Sequence, residues 1–113
     1  MINRQITFDI MINGLRKQKK KSLNSRGLCV LRGVDGTKCA AGFLIPDDKY
    51  SPLWDIGGYP EGQSFWDFIE DEGHYAKLVN KVRHIHDHSE IENWEAEFEE
   101  VANEFGLIYH KDI

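Results

Sequence analysis

The chain has 113 residues, of which 41% are apolar and 29% charged. That fits one globular domain and excludes both a pair of domains and a disordered chain. The net charge of -5 is uneven: residues 1–60 hold 10 Lys/Arg against 5 Asp/Glu, and residues 61–113 hold 4 against 14. A basic end and an acidic end are therefore expected. No apolar run approaches the roughly 20 residues that span a bilayer, and no signal-peptide core follows Met1. A soluble, cytoplasmic protein with no membrane partner is the expectation.

The first segment carries two apolar periods. Ile6, Phe8, Ile10 and Ile12 alternate as in a strand, while Phe8, Met11, Ile12 and Leu15 follow the helical i, i+3, i+4, i+7 pattern. The good helix formers that follow decide for a helix over 4–20, with Gly14 as its weak spot. Its end is the basic run Arg16 to Lys21. Cations there suit the negative pole of the helix dipole. The run lacks interleaved aromatics and the protein is acidic, so nucleic acid is not the expected partner.

Leu28 to Arg32 reads as a strand, and Gly33-Val34-Asp35-Gly36 as a turn. Thr37 to Ile45 returns as a second strand or begins a short helix, since Ala40-Ala41 suit a strand poorly. Pro46 ends that element. Residues 47–63 form an irregular loop in which Tyr50, Trp54 and Tyr59 plug the core edge. Three helices fill the remainder. Ser64 and Asp67 make a capping box for Phe65–Glu72, stopped by Gly73. His74 to Asp87 shows the stripe Tyr75, Leu78, Val79, Val82 and Ile85. Ser89 and Glu92 suggest a second capping box, ahead of the stripe Ile91, Trp94, Phe98, Val101, Ala102 and Phe105, with Gly106 past its end. Leu107 to Tyr109 packs back as an extended tail. The expected fold is α+β: a single domain over residues 1–113, mostly helical with about four helices and a small central β-hairpin.

The chemistry-bearing residues are few. His84 and His88 share a helix face, a spacing that can hold a metal. Lys77 and Lys81 lie on that face and oppose a cation, so neither a metal nor a cofactor is expected. His86 falls in the apolar stripe and is expected to be a core residue with one hydrogen bond. The alternative is a thiol-dependent enzyme in which His86 is the general base for Cys39 or Cys29, oriented by Asp87. The two cysteines are expected to be free thiols. No phosphate-loop, dinucleotide, zincin or EF-hand motif is present, so a non-enzymatic role is expected. On the last helix Glu97, Glu100 and Glu104 form one carboxylate row and Glu92, Glu95 and Glu99 another. Such rows suit a basic protein surface or imitate a phosphate backbone.

Arg32-Gly33, Asp35-Gly36, Lys38-Cys39-Ala40-Ala41-Gly42, Leu44-Ile45-Pro46-Asp47 and Tyr50 resemble a family of small proteins encoded by phages and prophages. That family carries an R-G-x-x-G-x-K-C-A-x-G-x-L-I-P-D-x-x-Y core. The flanks match more loosely, at Leu15, Gln18, Ser22, Glu61-Gly62, Ile85-His86-Asp87 and Trp94. The stretch between Tyr50 and Glu61 is longer here. The family is functionally uncharacterised, so the resemblance implies a genomic setting rather than a reaction. Cys39, Asp47, Tyr50, His86 and Asp87 are the matched positions at which a shared site, or a shared core, is expected. The overall expectation is a phage-type accessory protein that binds and modulates a bacterial host protein, such as a defence or nucleic-acid enzyme. Glu97, Glu100, Glu104, Asp47 and Tyr50 are its candidate binding residues, and a homo-oligomer is compatible with the two apolar helix stripes.

Overall fold

The structure is a computed structural model that describes residues 3–110. It contains four α-helices: α1 Arg4–Gln18, α2 Phe65–Asp71, α3 Ala76–His88 and α4 Trp94–Phe105. None is long and apolar enough to cross a membrane. α3 is the centre of the fold, with α1 and α4 both packed on it. The helical part of the core includes Phe8, Met11, Ile12 and Leu15 from α1, Leu78, Val79, Val82 and Ile85 from α3, and Trp94, Phe98, Val101 and Ala102 from α4.

Several local helix signals of the sequence are met. Asn3 accepts a hydrogen bond from the Ile6 amide at 2.9 Å and starts α1. The helix ends where Lys19 turns left-handed (φ 53°), with its N–H on the Leu15 carbonyl. Ser64 and Asp67 form the reciprocal capping box of α2, both bonds at 3.0 Å. Gly106 closes α4 in the left-handed region, which costs little only without a Cβ. The tail then returns to α1, where the Gln5 side chain pairs with both the N–H and the carbonyl of Ile108.

The capping box expected at Ser89 and Glu92 does not form. The Ser89 amide is bonded to the Ile85 carbonyl and terminates α3 instead. A 3-10 turn, Ile91–Asn93, intervenes before α4. Gly14 is not simply a weak point either: a Cβ there would lie 2.6 Å from the Phe43 ring, so the glycine makes room for that ring.

The expected β-hairpin is absent, and the fold is all-α rather than α+β. Among the described residues there are no strands, only isolated antiparallel bridges at Leu23–Cys29 and Arg32–Lys38. The backbone donors of residues 28–32 go to scattered partners. The Val30 amide bonds the Ser22 carbonyl at 3.0 Å. The Leu31 amide bonds the Asp55 carboxylate at 2.7 Å. Around the turn that Gly33 and Thr37 close, the Leu31 carbonyl still accepts the Cys39 amide, but the Leu31 amide is claimed by Asp55, so the pairing stays at one bridge and does not become a ladder. The small residues Ala40, Ala41 and Gly42 are buried, and the chain coils there into a 3-10 turn, Ala41–Leu44, rather than returning as a strand. In the following loop Trp54 does plug the core, at 9% exposed, but Tyr59 stands in solvent at 67%.

Candidate functional site

The structure gathers chemistry-bearing residues in three places. The first is around His86, which is fully buried on α3. Its Nε2 accepts the Ser22 amide at 2.8 Å, and its Nδ1 lies 2.7 Å from Asp87 Oδ1. The amide can only donate, so Nε2 carries the lone pair and Nδ1 carries the proton. The Trp94 indole stacks on the ring, with centroids 5.8 Å apart. Both nitrogens are therefore occupied, by two bonds rather than the single bond expected.

The thiol nearest this pair is Cys29, not Cys39. Cys29 Sγ, a His86 nitrogen and an Asp87 carboxylate oxygen lie within 4.8 Å of one another. The spacing alone would suit a metal. The Ser22 amide argues otherwise, because it commits the Nδ1 position to a proton facing Asp87 and leaves no free imidazole lone pair. Burial pushes the Asp87 carboxyl up, but the His86 hydrogen bond and the charge of Arg83 outweigh it and hold the carboxyl below the usual range. Burial, followed by the charge of Asp87, raises the Cys29 thiol. Cys39 is 1% exposed, and desolvation pushes its thiol up to about 11. A reactive thiol needs the opposite environment. Alkylation at neutral pH should thus be slow at Cys29, and Cys39 should react only as the chain unfolds. Peptide mass mapping reads both rates; fast labelling that depends on His86 would restore a catalytic thiol.

The second place is the surface formed by the central motif. Arg32 Nη1 bonds Asp47 Oδ1 at 2.6 Å, and Nη2 bonds the Ile45 carbonyl at 2.6 Å. The guanidinium lies over the Tyr50 ring, 4.8 Å from its centroid. Tyr50 in turn donates to Asp55 at 2.5 Å. Burial, then this bond, raises the Tyr50 phenol. Lys38 Nζ reaches the same Asp47 oxygen at 3.6 Å. The hydrogen bond from Arg32 and the charge of Lys38 hold the Asp47 carboxyl below its ordinary value. Arg32 and Lys38 thus join Asp47 and Tyr50 here. The sequence alone assigns neither basic residue to a site, although two cations flanking the Gly33–Gly36 turn are visible in the motif. The other matched positions, Cys39, His86 and Asp87, are not part of this surface.

The third place is α4. Glu95 does not belong to a free row: Arg16 clasps it through Nε and Nη2 at 2.7–3.0 Å, and Tyr109 donates to it at 2.5 Å. This clasp joins the basic and acidic halves of the sequence and occupies Arg16, the first residue of the basic run. Glu97 is half-buried, with one carboxylate oxygen shielded from solvent and unpartnered. Glu104 lies 3.9 Å from Lys81. Glu92, Glu99, Glu100 and Glu104 are exposed. His84 and His88 are exposed as well, their rings 4.4 Å apart.

No protein-family model, no curated protein and no solved structure matches this chain.

Proposed function

We propose that the chain is a small non-catalytic protein of the phage or prophage type that binds a bacterial host protein through the outer face of α4. Inhibition of a defence or nucleic-acid enzyme is the concrete form of this reading. One observation carries it: among the described residues, no basic nitrogen lies within 4.0 Å of the carboxylates of Glu92, Glu99 or Glu100. On α4, Glu100 lies three residues from Glu97 and four from Glu104, and like charges at such spacing destabilise a helix by about 0.2–0.5 kcal/mol per pair. A basic partner surface would remove that repulsion and gain steering. The phage setting comes from the central motif. The thiol-enzyme alternative loses support, because the imidazole is committed at both nitrogens and burial raises both thiols.

The test is capture of partners from bacterial lysate by the tagged chain, with Glu99→Lys/Glu100→Lys/Glu104→Lys as the control. These three side chains are solvent-exposed, so the variant should remain folded. A single stoichiometric host protein should be retained by the native chain and bound at least about tenfold more weakly by the variant, a difference of about 1.4 kcal/mol. Equal affinity would remove α4 from the interface. Absence of any stoichiometric partner would overturn the binding reading itself.

A further inference from the structure

Most of the central motif has a packing role. A Cβ on Gly33 would meet Thr37 Oγ1 at 2.3 Å and the Leu23 backbone at 2.9 Å. Gly36 adopts φ +73° in the turn. Cys39, Ala40, Ala41, Leu44 and Ile45 are core. Packing does not account for the charged members. The Asp47 side chain is 83% exposed, yet it is the point on which Arg32 Nη1 and Lys38 Nζ converge.

Arg32 and the backbone of Lys38 are held by contacts other than Asp47. Arg32 is fixed by the Ile45 carbonyl on one side and the Tyr50 ring on the other, and Tyr50 is fixed by Asp55. The Lys38 backbone is clamped at both its N–H and its carbonyl by the Gln18 side chain, each at 2.8 Å. Arg32 Nε is buried and has no hydrogen-bond partner among the described residues. Asp47, by contrast, follows Pro46 at the exposed start of a loop. An open cleft of about 520 Å³ lies here, lined by Arg32, Gly36, Thr37, Lys38, Asp47 and Tyr50 among others. A guanidinium fixed by the frame and the ammonium of a lysine with a clamped backbone therefore meet on an oxygen supplied by an exposed side chain.

We propose that this cleft is an oxyanion site, taking the carboxylate or phosphate group of a small molecule between Arg32 and Lys38 in the place of Asp47. Asp47 is then an internal competitor that occupies the site in the unliganded protein. A planar guanidinium beside a mobile ammonium suits either group. The site is separate from α4, and the proposal does not depend on the host-protein reading.

The experiment titrates the native chain, Asp47→Asn and Asp47→Asn/Lys38→Gln with sodium phosphate and, separately, sodium acetate at constant ionic strength. Amide and Arg32 Nε–H chemical shifts are followed by NMR. Preserved dispersion elsewhere in the spectra establishes that both variants are folded, as expected for changes at half- or fully exposed side chains. Saturable shifts should concentrate on Arg32, Gly33, Gly36 and Lys38. Removing the exposed competitor should tighten binding about two- to fivefold relative to the native chain. The double variant should lose saturation. Saturation with phosphate alone assigns a phosphoryl ligand, with acetate alone a carboxylate, and with both a general oxyanion pocket. No saturable shift in Asp47→Asn, or equal binding by the double variant, overturns the proposal.

Discussion

Replacing His86 with Leu should lower the folding stability by about 3 kcal/mol, as the sum of a stranded buried amide and the loss of the Asp87 bond. The ring is fully buried and joins three elements: α3, which bears it, Trp94 of α4, and the segment at Ser22. Leucine fills most of the volume but accepts nothing. The Ser22 amide would then be unpaired in a residue that is itself fully buried. Urea unfolding checks this: the midpoint should fall while the slope stays constant. His86→Gln, which keeps an acceptor near the Nε2 position, should recover a substantial part of the loss. A cost below about 1 kcal/mol for Leu would make the ring a space-filler and not a hydrogen-bonded joint.

Gly42→Ala should cost about 3 kcal/mol or more, at the upper end of overpacking effects. The added Cβ would lie 2.4 Å from the Leu31 carbonyl oxygen and 3.2 Å from Lys38 Cβ. The Leu31 oxygen also accepts the Cys39 amide, so it cannot retreat without breaking that bond. Gly36→Ala is the useful contrast. Among the described residues beyond its chain neighbours, no atom lies within 4 Å of its Cβ position, and the positive φ is what opposes the methyl group. That substitution should cost about 1 kcal/mol, the usual scale for a left-handed residue that is not glycine. Thermal unfolding of the two variants separates a steric from a conformational demand for glycine. Equal melting temperatures would show that the Ala41–Leu44 turn shifts to accept the methyl group.

His86 and the Arg32–Lys38–Asp47 cleft separate what is legible in the sequence from what is not. The burial of His86 follows from its place four residues after Val82, on the apolar side of α3. Its partners do not: Ser22 is 64 residues away in sequence. The pairing of His86 with Cys29 in place of Cys39 was open for the same reason, since both thiols precede it by more than forty residues. Asp47 and Tyr50 could be singled out from the motif. The convergence of Arg32 and Lys38 on Asp47 depends on the turn at Gly36 and the coil at Ala41–Leu44.

The sequence by itself determined the helices. The apolar stripes of α1, α3 and α4, the Ser64–Asp67 box and the Gly106 stop depend on side chains and backbone within about four residues of one another. Only the tertiary structure decided the middle of the chain. Leu28 to Ile45 has strand-like residues and a good turn, and Gly33 and Cys39 do donate across it, but the amides of Val30, Leu31 and Lys38 bond Ser22, Asp55 and Gln18 instead of a second strand. A buried amide must find an acceptor wherever the packed chain offers one. In this protein those acceptors lie in other segments, so the hairpin becomes a coil and the motif becomes a cleft.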